Sequence, residues 1–157
     1  MANTSLPTGL TTGNTTHIAD HNTLHAEVNE LSRSTGLRDI TSLLANGWTA
    51  TGVRIERIRD HVYFYWRGLD GSAATSNALI EFGSAPAVSN RFASMDGSYQ
   101  TEIHFDDDGN AYRLRVIAAN IQVPSTAMRR NLGGYWKMAT WRAPSSAWPS
   151  SLPGVAV

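Results

Sequence analysis

Val53-Arg-Ile-Glu-Arg-Ile-Arg-Asp-His-Val-Tyr-Phe-Tyr-Trp-Arg67 decides the fold. Its apolar residues recur every second position, the period of a strand. Val53–Ile58 and His61–Arg67 read as two strands joined by Arg59-Asp60, a two-residue hairpin loop. In the second strand Val62, Phe64 and Trp66 share one face, while His61, Tyr63 and Tyr65 share the other.

Downstream the same pattern continues. Ala78–Phe82 reads as a short strand after the loop Leu69–Asn77. Gly83–Gly97 is rich in Gly, Pro, Ser and Asn and reads as a surface excursion. Tyr99–Phe105 and Ala111–Ile117 flank Asp106-Asp-Asp-Gly-Asn110, a second hairpin signal. Ile121–Val123 and Leu132–Trp141 complete the set. Residues 47–142 therefore hold about six to eight short strands between turn signals, which predicts an antiparallel β-sandwich or jelly roll. Residues 143–157 contain Pro144, Pro149 and Pro153 and read as an extended tail, with Trp148 and Leu152 as its anchors.

Upstream of the hairpin, Asn46-Gly47 marks a turn. Residues 37–46 form a connector whose Leu37, Ile40, Leu43 and Leu44 suit one helical turn or a clamp. Before it lies a helix, 17–36. His17, Leu24 and Leu31 recur every seven residues, with His21 and Val28 between them. This is an a/d seam of about two heptads. Asp20 is placed in the first turn, where a carboxylate meets free amides, and Gly36 suits a left-handed C-cap. Isolated helices of about 12–15 residues are marginal in water, so the seam needs covering. Sister helices in a trimeric bundle are the expected cover, and His17, His21, Leu24, Val28 and Leu31 are the expected oligomerisation residues. Residues 1–16 hold almost no hydrophobes and read as a flexible leader or docking arm.

The composition excludes several classes. The formal net charge is zero and both signs are spread along the chain. No clustered basic face points to nucleic acid. No apolar run reaches the ~18–20 residues of a membrane span, and the N-terminus lacks the pattern of a secretory signal. With no cysteine, disulfide and thiolate chemistry are absent, and folding in a reducing cytoplasm is expected. Twelve of the thirteen basic residues are Arg, the bias of a GC-rich genome.

No catalytic pattern stands out. Gly-x-Ser-x-Gly and Ser-x-x-Lys are missing, and so are both glycine-rich phosphate loops. Carboxylates for glycoside cleavage are present, but none is singled out as a pair. His17, His21 and His25 lie on one side of the helix. Two of them could ligate one metal, but His17 and His25 are about 12 Å apart along the axis. His21 is followed by Asn-Thr and not by the pattern of a catalytic zinc helix. Neither a cofactor nor a metal is expected. The 106–110 loop fails the EF-hand spacing, and a hairpin tip explains it more simply. Among the many aromatics, Tyr63, Tyr65, Tyr99 and Trp136 are the candidates to face a glycan or protein ligand, against a plainer reading as core and subunit interface. Arg54, Arg57, Arg59 and Arg67 cluster on the first hairpin, as a solvated face or as partners for acids of a neighbouring chain.

Asp20-His-Asn-Thr-Leu-His25 with Val28-Asn29 and Leu31 resembles the N-terminal segment of small tail and appendage proteins of actinobacteria-infecting tailed bacteriophages. Arg38-Asp-Ile-Thr41, Gly47-Trp48 and Trp148-Pro-Ser-Ser-Leu-Pro-Gly154 are similar to that group too. The resemblance implies a trimer with a helical bundle and a β-rich domain, its N-terminal part attached to the particle and its distal part facing the medium. It implies a virion location, partners at the tail tip or in the major capsid shell, and host-surface glycan as a ligand. The chain has no long shaft, which favours a compact knob. The expectation is thus a non-enzymatic virion surface protein, a minor tail protein or alternatively a capsid decoration protein. A small cell-wall hydrolase or a carbohydrate-binding module are the competing classes.

Overall fold

The computed structural model describes residues 15–81, 100–117, 120–124, 130–143, 148–149 and 152–157. The chain divides into two compact units, Met1–Ser34 and Thr35–Val157. The expected leader lies outside the described residues except for Thr15 and Thr16, which belong to the helix. Tyr99 and the 83–97 excursion also lie outside them.

Among its described residues the first unit holds one helix, α1 (Thr15–Leu31). Its last turn closes with Ser32 N–H on the Val28 carbonyl at 3.0 Å, and then tightens to Arg33 N–H on Glu30 at 3.3 Å. Arg33 pairs with Glu30 at 2.8 Å on the exposed surface, a contact worth about 0.3–0.5 kcal/mol. Because the helix starts at Thr15, Asp20 sits in the second turn, away from the free amides; no acidic residue occupies the first. Gly36 does adopt φ +67°, but five residues beyond Leu31, so it does not cap the helix.

The second unit carries two antiparallel sheets, so the chain is mainly β, as the alternating pattern predicts. Its strands are β1 (Arg38–Asp39), β2 (Gly52–Ile58), β3 (His61–Arg67), β4 (Ala78–Glu81), β5 (Gln100–Phe105), β6 (Ala111–Ile117), β7 (Asn120–Gln122), β8 (Lys137–Arg142) and β9 (Val155–Ala156). One sheet runs β8-β3-β2-β1-β9 and the other β4-β7-β6-β5. The β2–β3 hairpin pairs Ile58 with His61, so Arg59-Asp60 is the two-residue loop, with Arg59 at φ +54°.

Period-two alternation builds the core. Direct cross-strand partners share a face. One inner row is therefore Ile55–Phe64–Ala139, flanked by Val53–Trp66 on one side and Arg57–Val62–Trp141 on the other. Against them pack Ile80, Tyr112, Leu114, Val116 and Ile121 of the second sheet. Trp66 Nε1–H donates to the Tyr112 hydroxyl at 3.1 Å, and His104 of β5 sets its ring at 87° to Trp66 with centroids 4.8 Å apart. Burial pushes the Tyr112 phenol well above its ordinary pKa, so it stays a neutral acceptor.

The connector 37–46 holds a strand as well as a helical turn. Arg38 and Asp39 pair with β2 on one side and β9 on the other. The Arg38 guanidinium donates to the carbonyls of Pro153 at 3.1 Å and Gly154 at 2.7 Å, which fastens the chain end to this strand. Ile40 is fully buried, and a 3₁₀ turn follows at Thr41–Leu43. Asn46 and Gly47 both take positive φ, and Trp48 N–H closes that turn on Ala45. In the tail, Trp148 is an anchor but Leu152 is exposed; among the described residues there Ala143, Pro149 and Pro153 are buried.

The last long strand starts later than expected, at Lys137 and not at Leu132. Gly133 takes φ +101°, which breaks the strand geometry, and Leu132 instead plugs the core while its N–H bonds to Leu69 at 2.7 Å.

Phe64 lies at the centre of the inner rows and is fully buried. Phe64→Ala should cost about 3–5 kcal/mol of unfolding free energy. Urea titration followed by circular dichroism reads this directly; a loss below about 1 kcal/mol would mean the two sheets do not meet at this ring.

Candidate functional site

Two surfaces carry the residues singled out in the sequence. The first is the α1 seam. Leu24 is 54% exposed, Val28 38% and Leu31 57%, and no described side chain of the helix is buried. His21 and His25 are half-buried and His17 is exposed. The three imidazoles follow one another edge to face, with centroids 5.2 and 5.0 Å apart. Among the described residues no three His, Cys, Asp or Glu side chains come together to hold a metal ion.

The second surface is the outer face of the five-stranded sheet. Strand parity turns Tyr63 and Tyr65 to this face, opposite the core. The register then lays down transverse rows. Met138, Tyr65, Arg54, Asp39 and Val155 form one; Thr140, Tyr63 and Glu56 the next; Arg142, His61 and Ile58 the third. Above the first row Arg67 lies opposite Gly52, and the ring of Trp136 covers the glycine. A Cβ on residue 52 would stand 3.1 Å from Trp136 Cη2, so the bare glycine is what seats the indole.

Trp136 is 43% exposed. The Arg54 guanidinium carbon lies 4.8 Å from its ring centroid and that of Arg67 5.6 Å. Both distances are within cation–π range. Arg54 Nε is shielded from solvent and has no acceptor among the described residues. Burial, and then the Glu56 charge, push the Tyr65 phenol upward, so it is a protonated donor at neutral pH.

The arrangement offers an exposed indole, two phenols and two guanidinium forks on one sheet face. It can stack a ring and donate hydrogen bonds to an acceptor. No family model, curated protein or solved structure matches this chain.

Of the four expected ligand-facing aromatics, Tyr63, Tyr65 and Trp136 come together on this face. The two arginines over Trp136 were legible only as a charged cluster. Arg57 leaves that cluster altogether: it faces inward, fully buried, with Nε bonded to the Arg59 carbonyl at 2.7 Å and its guanidinium carbon 5.0 Å from the Trp148 ring. A buried cation needs such partners.

The 106–110 loop is committed to the fold. Asp106 Oδ1 accepts N–H bonds from Asn110 at 2.7 Å and Asp108 at 3.1 Å, and Oδ2 accepts Arg130 Nε–H at 2.8 Å. Asp107 accepts the Gly134 N–H at 2.6 Å and Lys137 Nζ at 3.3 Å. These bonds tie the β5–β6 hairpin to the segment before β8. At the other end of the unit, Asp60 bridges His61 at 2.8 Å and Arg142 at 2.6 Å.

The Arg130 guanidinium holds the Asp106 carboxyl down at about 2, and Arg142 does the same for Asp60. Depressed carboxyls stabilise the fold above their ordinary value of 3.8 and lose that contribution as pH falls towards 2. The urea midpoint should therefore stay level down to about pH 4 and drop below it. Asp106→Asn should flatten that drop; an unchanged acid limb would show that the Arg130 pairing adds no stability.

Proposed function

We propose that this chain is a non-enzymatic, homotrimeric structural protein of a bacteriophage virion, placed at the tail as a minor tail protein. The observation that carries the trimer is the open seam of α1. Leu24, Val28 and Leu31 stand in water on a helix of 17 residues that forms a unit of its own. A helix of that length gains little by itself. Fully burying an exposed Leu or Val is worth about 1.5–3 kcal/mol, so covering the 38–57% still exposed gives roughly half of that each, and sister helices in register cover all three. His17 and His21 continue the same seam as polar positions, which set register at some cost in stability.

The virion assignment rests on the resemblance of Asp20–Leu31, Arg38–Thr41 and Trp148–Gly154 to phage appendage proteins. The β-unit complements it. Its core is closed by both sheets, so it is free to present an outer face to a partner. The host envelope is the partner this reading assigns.

Solution mass tests the oligomer. The chain should run at three times its 17.1 kDa, and the double change Leu24→Asp, Leu31→Asp should give a monomer whose β-sheet circular dichroism is kept. A mass unchanged by the double variant would overturn the seam. Copy number per purified particle, by quantitative mass spectrometry against the major shell protein, tests the location. A handful of copies places it at the tail, and hundreds would make it a capsid decoration protein. None would end the virion reading.

A further inference from the structure

The outer face of the five-stranded sheet carries two cations that the fold itself does not use. Among the described residues neither Arg54 nor Arg67 has a carboxylate within ion-pair distance. The basic residues around them differ: Arg38 is spent on the Pro153 and Gly154 carbonyls, Arg142 on Asp60, Arg130 on Asp106 and Lys137 on Asp107 and the Leu132 carbonyl. Arg54 and Arg67 converge instead on the one exposed indole of the sheet, and Gly52 leaves the space that seats it.

We infer that Arg54, Trp136 and Arg67, with Tyr65 beside them, form a binding site for an acidic saccharide, one whose sugar bears a carboxylate or phosphate. A guanidinium fork meets either anion through two parallel N–H bonds, which a neutral sugar cannot reward. The indole and phenol supply flat apolar surface for the sugar ring. Tyr65 lies directly opposite Arg54 in the ladder, so its hydroxyl and the guanidinium belong to one row.

A protein partner fits this face less well. Interface cores are depleted of Asp, Glu and Lys, although Arg and aromatic residues are common in them. Here the carboxylates of Asp39 and Glu56 lie in the row of Arg54 and in the next one, and both would have to be desolvated in a dry contact. A hydrated saccharide can leave both in water. The inference deepens the host-surface role proposed above and rests on that reading only for its biological setting.

The test uses the full-length chain and a panel of uronate-bearing and phosphate-bearing oligosaccharides, with neutral oligosaccharides of matched length. The acidic members should be retained over the neutral ones, and added salt should weaken them. Arg54→Gln and Arg67→Gln should each weaken retention about tenfold or more, the scale of one charge-assisted pair. Arg142→Gln, two rows from Arg54 and three from Arg67, about 13 and 20 Å along the strand, should leave it unchanged. Thermal unfolding confirms that each variant is folded.

Equal retention of neutral sugars, no retention at millimolar concentration, or indifference to both Gln variants would overturn the site. So would inhibition by inorganic phosphate alone at the same concentration as by the saccharide, since the sugar ring would then add nothing. Solution mass, measured on the same samples, separates the two claims. A trimer that retains no acidic sugar overturns the saccharide site alone. A monomer that retains it overturns the oligomer alone. Gln variants that change the mass in place of the retention would make this face a subunit interface and overturn the site.

Discussion

The hydrogen bond from Trp66 Nε1 to the Tyr112 hydroxyl is the joint on which the β-unit depends. Each partner is a large ring on the inner face of a different sheet, and each carries one polar atom that burial would otherwise strand. Leaving such a group unpaired in an apolar core costs about 1–3 kcal/mol. Satisfying both at once fixes the sliding register of one sheet over the other. His104 sets its ring against both Trp66 and Tyr112, which extends the joint to the β5 edge. The two sheets could otherwise pack through Leu, Ile and Val in several offsets of similar energy, because apolar contact is not directional.

What was readable in the chain was what local alternation determines. Val62, Phe64 and Trp66 point inward and Tyr63 and Tyr65 outward because side chains in a strand have a period of two, and no distant residue can alter that parity. Residues 111–117 were legible for the same reason. The connector at 37–46 carries the helical turn that its apolar spacing suits, but β1 within it gives no signal, because it is two residues long and is a strand only through its partners β2 and β9. Neither two residues nor their spacing can signal a pairing that spans more than a hundred positions. Arg57 was read with its charged neighbours, although parity with Val53 and Ile55 already put it on the inner face. Charge argued for water, and the carbonyl and indole that make its burial tolerable come from Arg59 and from the distant Trp148.

The outer face divides in the same way. Tyr63 and Tyr65 were legible as a pair from one strand. Trp136 was legible as an aromatic, not as part of the same surface, because it reaches Arg54 and Arg67 only once β8 has docked along β3, some seventy residues away in sequence. Gly52 gave no warning either. Its φ is an ordinary one, so the glycine is required for space and not for backbone freedom, a reason that appears only when the indole above it is in place.

The two units solve the problem of apolar surface differently, and this difference bears on function. In the β-unit the inner apolar rows of each sheet are covered by the other, while Ile103 and Phe105 of β5 and Met138 and Val155 of the outer face stay exposed. The α1 seam has no such cover: its Leu and Val side chains are exposed in the single chain. Changes on the outer sheet face leave the core rows untouched, because parity keeps the two sets of side chains on opposite sides of one backbone. Residues 54, 65, 67 and 136 can therefore be changed while the fold, held by the residues between them, stays the same.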